Sequence, residues 1–467
     1  MGLPWVRVAS GAPYFELEDG TPWTPIGQND AIDWPDFAPL FRRKDPAAVE
    51  RHLVWLRSHG VTCLRLMLEY AHKKHRFFEH RGGVFAPNMV RFWDDLFAMC
   101  EWVGMRILLT PMDTFFQWIN WKRHPWNRKN GGPCVARSRL MVDPKARVAI
   151  KKRIAFATER WGGSGVLFAW DIWNEMHPAQ GDNRMDAFDD YIGDVGPWLR
   201  ELEIRLHGRA HPQTASVFGP ELRWKPWLNE PIFRHPALDF ANTHLYEQGT
   251  IDDPRDTVAA AVSAGRLIAE AIAEAPPGRP VFDSEHGPIH RFKDHRVTLP
   301  EAFDDEYFRH IQWAHLASGG VGGGMRWPNR HPHTLTWGMR VEQAWLAEFV
   351  GFIDWGRFAR RCLTGTLVAE GCVVFACADE RQAIVYLLRS DRIGADGRVR
   401  NDAETVAPVI VVPGMAAGEY RVRAFPTRGQ WVVREWTLEH GGGDLTVKPP
   451  PFVTDLALAV TPVVRAA

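Results

Sequence analysis

Eight short apolar segments recur along the first three quarters of the chain, each followed by a stretch of helical spacing. The segments end near residue 29 or cover 61–68, 105–113, 165–170, 214–219, 238–246, 279–287 and 320–327. They are β-branched, aromatic or aliphatic and short, as buried strands are. Between them the period changes. In "AAVERHLVWLRSHG", Val49, Leu53 and Leu56 share one helical face and Gly60 ends it. Strict alternation of this kind predicts a parallel sheet with crossover helices, and eight repeats predict a (β/α)8 TIM barrel. An open doubly wound sheet would need a phosphate-binding glycine loop. The run Gly319–Gly324 follows no such pattern and precedes no lysine.

After about residue 360 the helical spacing stops. "GCVVFACADERQAIVYLLRSD" and the segments behind it alternate, with Pro-Gly and Gly-Gly-Gly punctuation. Short strands with regular turns predict an antiparallel β-sandwich. We therefore expect two units: a barrel over 1–358 that begins with a hairpin, and a sandwich over 359–467 whose job is packing on the barrel. Lysine plus arginine number 56 and so do aspartate plus glutamate, so charge offers nothing to nucleic acid or an anionic membrane. No apolar run reaches the ~20 residues of a membrane span. The six cysteines lack paired spacing and read as reduced thiols. The N-terminus has no basic segment followed by an apolar one, from which we expect a cytoplasmic protein unless a leader has been removed. The 22 tryptophans suit sugar faces, since an indole offers a flat apolar surface with one donor.

Barrel enzymes carry their chemistry at the carboxyl ends of the strands. The polar and aromatic residues there are Asn29, Arg65, Asp113, Asn174, Glu175, His244, Tyr246, Glu285, His286 and Trp327. Two glutamates on separate strand ends, with an arginine, a His-x-Tyr and a tryptophan, make a constellation rather than a scatter. Cleaving a glycosidic bond with retention needs one protonated carboxyl and one carboxylate, roughly 5–5.5 Å apart. Two like charges so close hold one proton between them.

"WNE" at 173–175, the Glu in "FDSEHG" at 282–287, "HLY" at 244–246 and "LRLML" at 64–68 resemble the signature of clan A glycoside hydrolases, family 5 (cellulase- and mannanase-like) above all. The resemblance spans about residues 20–355, with Asn-Glu on the fourth strand and the second Glu on the seventh. It implies that Glu175 is the acid/base and Glu285 the nucleophile. Arg65 would keep Glu285 ionised and Tyr246 would orient it. Asn174 would hold the sugar 2-hydroxyl, and Trp327 would floor the cleavage subsite. His244 has two readings, a substrate contact or a core hydrogen-bonder. Two departures stand out. Met112-Asp113-Thr114 occupies the place where many family members carry a histidine, so Asp113 is read as a contact to the terminal sugar. Met176 follows Glu175 where proline is common.

The connection after the third strand, "TFFQWINWKRHPWNRKNGGPCVARSRLMVD", is long for a barrel and carries Trp118, Trp121, Trp126 and His124. An aromatic loop there is expected to wall off one end of the cleft, with Trp118 on the sugar, giving an exo-acting enzyme on short oligosaccharides, β-mannosides or β-glucosides first. The rival readings are an endo-acting β-glycanase and a non-catalytic sugar-binding barrel. A metal-dependent hydrolase would need clustered ligands, and His331-x-His333 is the one close histidine pair, in a proline-rich loop. "WGGSG" lacks the spacing of a serine nucleophile elbow. We expect no metal and no cofactor.

Overall fold

The computed structural model describes residues 2–70, 77–218, 223–291, 297–429 and 431–463. Parallel strands Gly27–Asn29, Cys63–Met67, Arg106–Thr110 and Leu167–Asp171 lie side by side in that order. Beyond Gly27–Asn29 the sheet continues through Met325–Arg326, Val281–His286 and Ala241–Leu245. The two free edges meet in the fifth strand, which is split at Ala215. Gln213–Thr214 pairs with the fourth strand and Ser216–Phe218 with the sixth. This closes the (β/α)8 barrel. The split has a local cause: the Ser216 N–H is shared between Asp171 Oδ1 at 3.0 Å and Trp173 O at 3.2 Å.

The expected strands are all present, with changed lengths. Gly219, the expected end of the fifth, lies outside the described residues, as do residues 1 and 467 at the expected outer limits. The eighth shrinks from 320–327 to Met325–Arg326 because Gly322 and Gly324 take left-handed φ values of 66° and 73°. A Cβ on Gly324 would stand 2.5 Å from Asp283 Oδ2, so the close approach there needs glycine. Helices begin where the sequence places acid before proline or threonine. Asp45, Asp143 and Asp256 each accept a backbone N–H in the first turn of Pro46–Ser58, Pro144–Trp161 and Thr257–Glu274. No helix among the described residues is long and apolar enough to cross a membrane.

Both ends of the barrel are specialised. Three short antiparallel strands at Val6–Val8, Phe15–Leu17 and Pro22–Trp23 seal the bottom. Phe15 meets Phe168 at 4.9 Å and Phe240 at 5.3 Å, edge to face, and Trp23 lies 4.6 Å from Phe168. The top is left for chemistry.

The C-terminal segment forms a six-stranded antiparallel sheet with a two-stranded sheet, Ile410–Met415 and Gly443–Val447, packed on it. Strand Ala383–Arg389 is buried along its whole length because both faces are covered. Ile384, Tyr386 and Leu388 join the barrel-side core with Trp313 and Phe349, whereas Val385 and Leu387 face Ile410, Val412, Leu445 and Val447. The seam also holds buried charge. Arg309, on helix Glu301–Ala317, reaches Glu342 at 3.3 Å and Asp455 at 3.3 Å, and Tyr386 donates to Asp455 at 3.2 Å. Burial favours the neutral form of Asp455, but Arg309 and its neighbours hold the carboxyl well below the usual range.

Removing one partner of a buried ion pair leaves the other uncompensated, at about 3–5 kcal/mol. Asp455→Ala should therefore lower the stability of the whole chain by that amount in urea unfolding followed by tryptophan fluorescence. An unchanged midpoint would mean that apolar contact alone holds the seam.

Candidate active site

The chain leaving the fourth strand is held by both of its neighbours. Ile172 N donates to Thr214 O, Asn174 N to Met112 O and Met176 N to Ser216 O, at 2.8–2.9 Å. Glu175 sits within this ladder at a left-handed φ of 50°. A non-glycine residue there is strained by about 1–3 kcal/mol and persists only where the surroundings enforce it. The ladder and a bond from Glu175 N–H to Ser216 Oγ at 3.1 Å do so.

Arg65, on the second strand, is fully buried beneath the cleft. Its Nη1 donates to Glu285 Oε2 and to Asn29 Oδ1, each at 2.9 Å, and its Nη2 to Asp171 Oδ2 at 2.8 Å and to Asn174 Oδ1. The other Glu285 oxygen accepts from Tyr246 OH at 2.7 Å. Glu175 Oε1 faces His244 Nδ1 at 2.9 Å, and His244 Nε2 meets Ser284 Oγ at 3.1 Å. One oxygen each of Glu175 and Glu285 and a nitrogen of His244 all lie within 4.8 Å of one another.

The electrostatics follow from burial. It pushes the Glu175 carboxyl up to about 7, with Arg65 opposing. It raises Glu285 too, and the Glu175 charge adds to that, while Arg65 and the Tyr246 bond pull the other way. Burial drops His244 to about 4, so its ring is neutral at neutral pH. One guanidinium thus faces three carboxyl groups, Asp171, Glu175 and Glu285. A single proton on the glutamate pair relieves the excess negative charge. Glu285 accepts from Arg65 and Tyr246, whereas Glu175 faces the His244 ring, an asymmetry that favours the anion on Glu285. Three donor groups this close have the spacing of a metal site. Here both Glu285 oxygens are already engaged, and the guanidinium opposes a cation.

A cleft of about 710 Å³ opens above the pair. Of the residues singled out in the sequence, Asp113, Asn174, Glu175, Tyr246, Glu285 and Trp327 line it. Asn29, Arg65 and His244 lie beneath and His286 turns toward Phe308 on the helix after the seventh strand, each no more than 1% exposed. Asn29 donates to Ser284 O at 2.9 Å and Met325 O at 3.1 Å, tying the first strand to the seventh and eighth. His286 is held by Asp283 at 2.7 Å. Asn174, expected on a sugar hydroxyl, already spans Arg65 and Asp113, donating to Asp113 Oδ1 at 2.6 Å. Burial pushes Asp113 up to about 7. His333 packs on Trp34 with ring centres 4.9 Å apart.

Trp118 is not among the cleft residues. It packs edge-on against His177 at 4.7 Å with the Arg137 guanidinium over its ring. The reason is that the supposed loop opens as a helix, Thr114–Asn120, capped by Asp113, whose carboxylate accepts the Phe116 N–H. That helix turns Phe115 and Ile119, one turn apart, to the cleft. Trp126 is core: its Nε1 donates to Glu79 at 3.0 Å, and His124 meets Glu69 at 3.1 Å. Arg153 binds both acids at 2.8 Å, which anchors the connection. The cleft also takes Met67, Tyr70, Trp224, Gln248 and Ile289, which carried no strand-end signal.

No protein-family model matches the chain, and no curated protein matches it in sequence. Solved structures do match in fold. A glycoside hydrolase family 5 protein from Bacteroides vulgatus ATCC 8482 aligns over 98% of this chain and 94% of its own, with TM-score 0.60 and 11% identity. An exo-β-1,4-mannosidase from Opitutaceae bacterium strain TAV5 aligns over 74% of this chain and 62% of its own, with TM-score 0.52 and 16% identity. An endo-1,4-β-D-mannanase from Thermotoga petrophila RKU-1 aligns over 70% of this chain and all of its own, with TM-score 0.52 and 15% identity. The barrel is of the kind these hydrolases use.

Tyr246→Phe removes a donor that favours the charged form of Glu285. The Glu285 carboxyl should then titrate at higher pH, with Glu175 nearly unmoved, in carboxyl ¹³C NMR. An unmoved Glu285 would mean that the phenol does not stabilise its charge.

Proposed function

We propose that the chain is a retaining β-glycoside hydrolase of the family 5 kind, acting from the chain end on short oligosaccharides or simple glycosides. The observation that carries this is the glutamate pair: carboxylate oxygens within 4.8 Å, one carboxylate gripped by a guanidinium and a phenol, the other facing an imidazole. Inverting enzymes space their carboxyl groups at about 6.5–9.5 Å to admit a water, and the approach of the nearest oxygens of this pair supports retention instead. Glu285 attacks the anomeric carbon. Glu175 gives its proton to the leaving oxygen, then takes one from the water that releases the sugar. Trp327, on the eighth strand, offers an indole face beneath the ring.

Support for exo action comes from the wall beside the first and second strands, to which the third-strand connection adds Phe116. Ala31, Trp34, Met67, Tyr70, Phe116 and Trp327 form one buried cluster. Trp34 stands 5.0 Å from Trp327 and 6.1 Å from Tyr70, both edge-on. A packed aromatic plug among the described residues on the first- and second-strand side supports a cleft closed there to a threading polymer. The fold neighbours named as mannosidase and mannanase favour a β-mannoside, with a β-glucoside next.

Three outcomes test this reading. Glu285→Ala should abolish turnover, with azide restoring it as the inverted glycosyl azide. Glu175→Ala should be rescued with retained configuration. Near-normal turnover by Glu285→Ala of an activated aryl glycoside would overturn the roles. The pH profile has a fixed sign. Glu175 must keep its proton, so kcat falls as pH rises through about 7, and that alkaline limb disappears in Glu175→Ala with an activated aryl glycoside. Monosaccharide should be the sole early product from β-manno-oligosaccharides. A rapid loss of polymer viscosity with mixed oligosaccharides would point to endo action.

A further inference from the structure

If Glu175 protonates the leaving oxygen, the leaving group departs past the end of the fourth strand, between the connections that follow strands three and five. This placement rests on the glycosidase reading; the character of the surface there does not. From the third-strand side come Phe115 and Ile119, 45% and 53% exposed, and from the fifth-strand side Trp224, 69% exposed. These are large apolar side chains standing open on the rim of a cleft, whereas the indoles around Arg65 and the barrel bottom are buried.

A second sugar would need hydrogen-bond partners as well as a flat face. The described polar groups on this side are paired with one another. Arg223 pairs with Glu247 and, at 3.3 Å, with Glu270. Arg266 also holds Glu247, at 2.5 Å. Gln248 meets His290 at 3.2 Å. Asp252 Oδ1 has no partner, but it is covered from solvent. Among the described residues, the large side chains standing open on this side are the apolar Phe115, Ile119 and Trp224.

We propose that the leaving-group side of the cleft is built for an alcohol with a broad apolar face, an alkyl or aryl aglycone, contacted by Phe115, Ile119 and Trp224. The substrate class is then a simple β-glycoside of an apolar alcohol, and its recognition is burial of apolar surface rather than hydroxyl matching.

Binding of non-hydrolysable thioglycosides tests this without turnover. Methyl, octyl and β-1,4-linked disaccharide thioglycosides, in both the manno and gluco series and below micellar concentration, are titrated by calorimetry. The octyl compound should bind at least about tenfold tighter than the methyl one, as apolar contacts in a pocket allow. That ratio should fall about tenfold in Trp224→Ala and in Ile119→Ser, the second being a mild change at an exposed site should the first disturb folding. An octyl-to-methyl ratio near one, or a disaccharide that binds tighter than the octyl compound, overturns the proposal. Turnover of the matching O-glycosides is read separately. An octyl preference in binding with no hydrolysis of any glycoside would sink the hydrolase reading and leave the apolar subsite standing.

Discussion

A guanidinium buried at the centre of the barrel organises everything above it. Arg65 is wholly removed from water, and an ion so placed is tolerable only with hydrogen-bonded partners of opposite charge. Its four acceptors come from the first strand, the fourth and the chain just beyond it, and the seventh: Asn29, Asp171, Asn174 and Glu285. These strands are far apart in sequence and converge only if the barrel closes in the right register. The same bonds that satisfy Arg65 set where Glu285 points. Fold and site are one constraint here.

The remaining architecture protects that constraint from both sides. The N-terminal hairpin fills the bottom with aromatic rings, so solvent reaches Arg65 from neither end. The sandwich packs on Glu301–Ala317, the helix that follows the seventh strand and hence Glu285. Asp171 serves twice: one oxygen holds Arg65 and both reach Ser216, whose hydroxyl in turn accepts the Glu175 N–H. A chain of four residues therefore links the cation to the strained backbone of Glu175.

Much of this was legible in the sequence, for a physical reason. Parallel barrels present strand ends on one face, so Glu175, Glu285, Arg65 and Tyr246 could be gathered from spacing alone. Depth could not. Asn29, His244 and His286 are strand-end residues like the others, yet all three are buried and none is among the cleft residues. The third-strand connection misled for another reason. Asp113 reads as a site carboxylate, and it is also the cap that starts a helix. The 3.6-residue period then selects Phe115 and Ile119 for the cleft and turns Trp118 away. Tryptophan abundance misled in the same way. Trp93, Trp126, Trp170, Trp173 and Trp313 are fully buried core, and Trp224 and Trp327 are the indoles among the cleft residues.

The division of labour between the two glutamates follows from unequal surroundings rather than from unequal chemistry. Both carboxyls are lifted by burial toward about 7, so their common environment does not tell them apart. What differs is the count of donors. Glu285 is met by a fixed positive charge and by a phenol that cannot ionise, since burial and nearby carboxylates drive the Tyr246 pKa far up. Glu175 is met by a neutral imidazole that carries no charge to favour its anion. Its side chain is also the more open, 17% exposed against 7%. On the proposed reading the proton rests on Glu175, the group nearer the departing alcohol, and the charge on Glu285, the group locked in place by the barrel. A nucleophile gains from being immobile, whereas an acid that must later act as base gains from access to water.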